Sequence, residues 1–215
     1  MKRTGSYGLA FIILAATTVL AQQSSKQEEV LAALGGGRVA QRAYARILYT
    51  IRGANTGGAN TYPGELVISY GQPTWKPEYS DPATFDQMTK GRVWRMGDNF
   101  WTVLDTNLPL RISGKEIAVG EYYLGAHRSE DGSAWSLAFM DPSKIRKDRL
   151  DAVEIAKAII DFMAPMTFQK KEESAEKLTI TLEHPKEDLM DVTLRVAWGN
   201  FQLTAPIQVM GLSKK

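Results

Sequence analysis

Two stretches near the C-terminus alternate apolar and polar residues with a period of two. In "KLTITLE" (177–183), Leu178, Ile180 and Leu182 alternate with Thr179, Thr181 and Glu183; "MDVTLRVAW" (190–198) repeats the pattern through Val192, Leu194 and Val196. Successive strand side chains point to opposite faces, so these segments must bury one face of a sheet. "RAYARILYTIRG" (42–53) and "GELVISYGQP" (64–73) read as two earlier strands. "RVWRM", "FWTVLDT", "PLRIS", "IAV", "GEYYLGAH" and "AWSLAFM" follow between positions 92 and 140. Turn signals recur at roughly 8–12 residues, the spacing of sandwiches and barrels. The expectation is an all-β chain, an antiparallel β-sandwich of jelly-roll or Greek-key type. Gly199-Asn200 is expected to make a two-residue hairpin turn, and "KKEES" (170–174) a solvated linker. Residues 73–91, with three prolines, read as a long surface excursion. "DAVEIAKAIIDFM" carries two apolar rows at i, i+3/i+4 spacing, which predicts one inserted α-helix near 151–163, capped by Asp151 and stopped by Pro165.

The N-terminus reads as a separate object. Lys2 and Arg3 precede an apolar run, Leu9 to Leu20, of twelve residues. That is short against the roughly 20 that a membrane span needs. Val19 and Ala21 supply the small residues of a cleavage site before Gln22, so 1–21 is expected to be a signal peptide. No cysteine follows it, which excludes bacterial-type lipidation. The expected protein is exported, periplasmic or extracellular, with no membrane span after cleavage. Residues 22–41 form a polar segment in which Ser25 and Glu28 resemble a capping box before "VLAAL"; a short helix and a mobile tail are equally open. Residues 42–215 are expected to form a single sandwich domain.

Charge and composition exclude several kinds of chemistry. The chain has 26 Lys+Arg and 24 Asp+Glu; loss of Lys2 and Arg3 leaves 24 of each. A neutral chain gives no support for a nucleic-acid partner, whose affinity rests on phosphate neutralisation. There is no cysteine and there are two histidines, His127 and His184, too far apart for a paired metal motif. No transition-metal site and no cofactor are expected. No nucleophile elbow, P-loop or dinucleotide fingerprint occurs.

What remains is "GRVWRMGDNFW" (91–101), with two arginines and two tryptophans in eleven positions. Arg92 and Trp94 should share one face of a strand, and Val93 and Arg95 the other. Gly97 and Asn99 suit a bend. Two arrangements are open. A guanidinium stacked on Trp94 or Trp101 and forked onto Asp98 or Asp105 would be a structural clasp. The same groups facing solvent would form a cleft for an anionic or sugar ligand. The candidate site is therefore Tyr70, Arg92, Trp94, Arg95, Asp98, Asn99 and Trp101. A glycosidase would need a second carboxylate 5–9.5 Å from Asp98; Asp105 and Glu121 are the nominees. Of the other rings, Trp135 and Trp198 are expected inside, while Trp75, in the proline-rich loop, is the candidate for an exposed sugar-stacking ring. A binding or structural protein without catalytic activity is the leading reading, with a carbohydrate or cell-envelope ligand. A hydrolase acting on glycans or other envelope material is the alternative.

The pieces "ISYGQP" (68–73), "GRVWRMGDN" (91–99), "SGKEIAVGEYYL" (113–124) and "AWSLAFM" (134–140), in that order, resemble the family called domain of unknown function 2911. The resemblance extends over about residues 64–209. It implies an exported bacterial β-sandwich protein with no assigned activity. This sequence departs from the family pattern in three places in or beside these pieces, and the stretch 141–165 is also atypical of it. Gly71-Gln72 stands where the family shows Ser-Arg, Asp98 where it often has Ala, and Phe100 where a carboxylate is common.

Overall fold

A computed structural model describes residues 41–52 and 60–211. The expected signal peptide, the segment from 22 to 40 and most of the "GANTGGAN" loop lie outside the described residues. The rest is an all-β, sandwich-like fold of ten antiparallel strands with few helices. Strands β1 (Ala43–Arg52), β2 (Asn60–Tyr70), β4 (Thr102–Thr106), β7 (Gly120–Arg128) and β8 (Trp135–Met140) pair in that order, and β8 then pairs with the start of β9 (Phe162–Glu183). The second half of β9 pairs with β10 (Asp191–Val209), which pairs with β5 (Leu110–Ile112), and β5 with β6 (Lys115–Ile117). Strand β9 thus leaves one sheet and enters the other without a break.

Period two decides which side chains go between the sheets. Leu66, Ile68 and Tyr70 of β2, Leu104 of β4, Leu124 and Ala126 of β7, and Leu137 and Phe139 of β8 meet Leu178 and Ile180 of β9 and Val192, Leu194 and Val196 of β10. All are buried, which is the hydrophobic contribution that holds an antiparallel sandwich without disulfides. Trp135 and Trp198 lie inside as expected. A smaller cluster covers the other face of the first sheet, where Trp101, Tyr123 and Met140 pack against Ile145, Ala152 and Ile155.

Three local expectations need correction. The inserted α-helix near 151–163 is not formed. Asp151 does cap, and its capping box with Glu154 is complete, but only Ala152–Lys157 is helical and it is a 3-10 helix. Ala158 is already extended and β9 begins at Phe162. The apolar rows were real, yet Ile155 faces the smaller cluster while the Phe162 ring stacks on Phe139 across β8. Tertiary packing outweighed the helical period. Gly199-Asn200 is no turn; it is a bulge inside β10, with Gly199 at φ 60°. "KKEES" is likewise strand, the exposed middle of β9. The excursion 73–91 contains a 3-10 turn (Pro77–Ser80) and helix α1 (Pro82–Thr89), whose N-cap Asp81 accepts from Thr84 N. A second helix, α2 (Pro142–Asp148), follows β8.

Candidate functional site

Strand β3 (Arg92–Arg95) pairs antiparallel with the second half of β7, Arg92 opposite Arg128 and Arg95 opposite Gly125. The first half of β7 pairs with β4. The chain therefore makes two successive strands along one side of β7, and Met96 to Trp101 is the bend between them. Gly97 supports that bend: Thr102 Oγ1 donates to the carbonyl of Met96, and Asn99 takes φ 65°.

Beside β3 lies a groove of about 1090 Å³, just above the range of about 300–1,000 Å³ usual for small-molecule sites. All four β3 residues line it, with Pro73, Thr74 and Lys76 on one side and Val153, Ile155 and Ala156 of the 3-10 helix on another. His127, Asp98, Tyr79 and Trp198 also reach it. Consecutive residues of a strand point to opposite faces, so a groove lined by all four must follow the strand's edge.

Its charge is one-sided. Among the described residues, Arg92 is exposed, Arg95 is half-buried, and neither has an ion pair, side-chain hydrogen bond or ring partner. Lys76 has Glu78 4.0 Å away and lies 5.9 Å from the centroid of the Tyr79 ring. Asp98 is the single carboxylate at the groove, and Asn99 Nδ2 donates to it at 3.2 Å. The rings are engaged with one another: Trp94 and Trp198 stack with centroids 5.1 Å apart and 13° between planes. Trp75 is not an exposed platform but half-buried, edge-on to Tyr79, Trp198 and Phe201.

The structure brings together Arg92, Trp94, Arg95 and Asp98 of the candidate residues and separates the rest from the groove. Tyr70 is buried, donating to Ile180 O and accepting from Ile180 N, at 3.3 and 3.0 Å. Trp101 is buried against Tyr123, 5.0 Å away with 6° between planes. Asn99 is exposed beside Asp98. The clasp imagined for Arg95 is absent, because no ring or carboxylate reaches its guanidinium. Two other arginines form such clasps instead. Arg42 donates through Nη2 to Ser69 O at 2.8 Å and Trp101 O at 2.6 Å, and its guanidinium lies 5.9 Å from the Phe100 ring centroid. Burial lowers its pKa, and the nearby Asp98 acts in the opposite direction. Arg128 donates to Asp86 at 2.7 Å, Thr89 at 3.0 Å and Gly132 O at 2.9 Å, under the rings of Phe85 and Trp135. Asp105 and Glu121 face each other across β4 and β7, and neither lines the groove with Asp98.

Reading the sequence missed Lys76, His127 and the wall at 152–163. His127 was findable in principle, since it lies directly opposite Val93, but only with the β3–β7 register in hand. Among the described residues no group of three or more histidine, cysteine, aspartate or glutamate side chains could hold a metal. No helix of the described residues is long and apolar enough to cross a membrane.

The family model described as "Protein of unknown function (DUF2911)" matches residues 58–207. The chain belongs to that family. The match takes in β3, the bend and every strand of both sheets except β1 and the last residues of β10. No curated protein and no solved structure matches the chain. Gly71 and Asp98 meet in space: a Cβ on Gly71 would lie 2.0 Å from Asp98 Oδ1. The same Cβ would lie 2.3 Å from the backbone carbonyl oxygen of Asp98, so the backbone of the bend as well as its carboxylate requires glycine at 71.

Proposed function

We propose that this DUF2911 protein is a binding protein without catalytic activity and that the β3 groove takes an anionic ligand. The observation that carries this reading is Arg92 and Arg95, unpaired at a groove whose other contributions are Lys76, His127 and a single carboxylate. A cation left without a carboxylate where one could have been supplied favours an anion from outside. Trp94 and Trp198 stack on one another, and the unpaired cations beside them are the groove's most distinctive offer to a ligand. Hydrolysis finds no support, since Asp98 has no carboxylate partner at the groove.

The rest of the reading comes from the N-terminal sequence. Residues 1–21 act as a signal peptide, the polar segment 22–41 follows, and the sandwich domain from residue 42 works in the periplasm or outside the cell. N-terminal sequencing of protein recovered outside the cytoplasm should begin at or near Gln22; unprocessed chain confined to the cytosol would refute export. For the groove, titration with oligogalacturonate against a neutral maltodextrin of equal length is the test. The acidic oligomer should bind, and binding should weaken as salt rises. Equal binding of the two, or none, would overturn the anionic reading.

A further inference from the structure

β3 is paired on one edge only. Its partner is β7; among the described residues the opposite edge makes no backbone hydrogen bond apart from that of Arg95 O with Gly97 N at 2.9 Å. The neighbouring segment does not close it. Thr74 bridges to Lys177, Leu178 N donates to Pro73 O at 3.0 Å, and Trp75 N donates to Glu176 O at 2.6 Å. The stretch after β2 thus covers the edge of β9 in the second sheet and leaves that of β3 open at the bottom of the groove. Charged side chains on an edge are one way a protein prevents sheet-to-sheet aggregation. Here the edge already lies between the Pro73–Lys76 side and the 3-10 helix. An edge flanked in this way suits a single extended chain better than a second sheet.

We propose that the anionic ligand is an extended peptide segment that adds to β3 as a strand, its backbone bonding to the open edge. This rests on the anionic-groove reading above and narrows it. Strand addition draws affinity from main-chain hydrogen bonds and specificity from the side chains that flank them. The order along β3 is cation, apolar, apolar, cation: Arg92, Val93, Trp94, Arg95. Residues facing each other across antiparallel strands interact in pairs. The fitting segment therefore carries acidic residues on either side of two apolar ones. Val93 packs against the smaller cluster that holds Ile155, and Trp94 against Trp198, so an apolar pair in the incoming strand meets apolar surface on both faces of β3.

The test uses a capped peptide with the core Glu-Val-Val-Glu, a second with both glutamates replaced by glutamine, and a third with the parent side chains but alternate backbone nitrogens methylated. Calorimetric titration should show the parent binding at least about tenfold more tightly than either control. The R92Q/R95Q protein should lose a similar factor while keeping its urea midpoint. Hydrogen exchange should slow at the β3 amides when the parent peptide is bound. If the methylated peptide binds as well as the parent, strand addition is refuted, though the anionic reading survives. If oligogalacturonate binds and no peptide does, the peptide proposal is refuted and the broader reading stands. If neither binds, both fall.

Discussion

Tyr49 is 7% exposed and its hydroxyl donates to Leu189 O at 2.9 Å. Burial penalises the phenolate and raises its pKa to about 12, against an ordinary value of 10.0. The folded chain then holds this proton where the unfolded chain releases it. Its contribution to stability is complete below pH 10 and is lost as pH rises toward 12. Urea midpoints of the parent should fall across that window, and those of Tyr49→Phe should fall less. Asp131 works at the other end of the scale. It accepts from Ser129 Oγ at 2.5 Å, Ser133 N at 3.1 Å and Ser133 Oγ at 2.8 Å, and these bonds to the charged form bring its pKa down to about 2. The β7–β8 turn should therefore keep its geometry down to the lower end of the carboxylate range and loosen only as pH falls through about 2. Carboxyl-carbon NMR should find Asp131 titrating well below the ordinary aspartate range. The two arginine types should separate as well. Arg128→Ala removes a guanidinium bonded to three groups and should lower the urea midpoint, with Arg128→Lys restoring little because an ammonium lacks the planar fork. Arg92→Ala and Arg95→Ala should change stability by no more than about 0.5 kcal/mol.

Among the elements, β10 carries a testable irregularity. Gly199 holds φ 60° within the strand, and a Cβ there would lie 2.4 Å from the Trp75 ring. Gly199→Ala should cost about 2–3 kcal/mol, from backbone strain and overpacking together, and should change the tryptophan fluorescence by displacing Trp75. The same bulge shows where reading the sequence succeeds and where it stops. Alternation in "KLTITLE" and "TLRVAW" identified strands and their buried faces, because period two is local. It could not distinguish a Gly-Asn turn from a Gly-Asn bulge, because what sits over Gly199 comes from residue 75. The segment 151–163 failed for a related reason: its apolar rows fit a helix, but Phe162 had a stacking partner in β8. Of the candidate site, Arg92, Trp94, Arg95 and Asp98 were legible from one short motif. Lys76 and His127 were not, because it is the pairing of β3 with β7 and of Thr74 with Lys177 that carries them to the same groove.

At the scale of the whole molecule, the described residues offer no cluster fit for a metal, and chelation should leave the melting temperature unchanged. A fall with EDTA that one metal restores would reveal a carboxylate site formed with other residues. The continuity of β9 has a different consequence. Its first residues belong to the sheet of β8 and its later ones to the sheet of β10, so neither sheet can come apart while the other keeps this strand. Loss of structure should be one event in circular dichroism and in fluorescence alike, with coincident transitions. Assembly should be correspondingly slow. Tyr70 meets Ile180 across 110 positions of chain, and loops of that length must close before their contacts repay the lost entropy. A ribosome would deliver β1, β2 and β4 well before the strand that joins the two sheets, leaving the early strands with exposed apolar faces until the last quarter of the chain arrives.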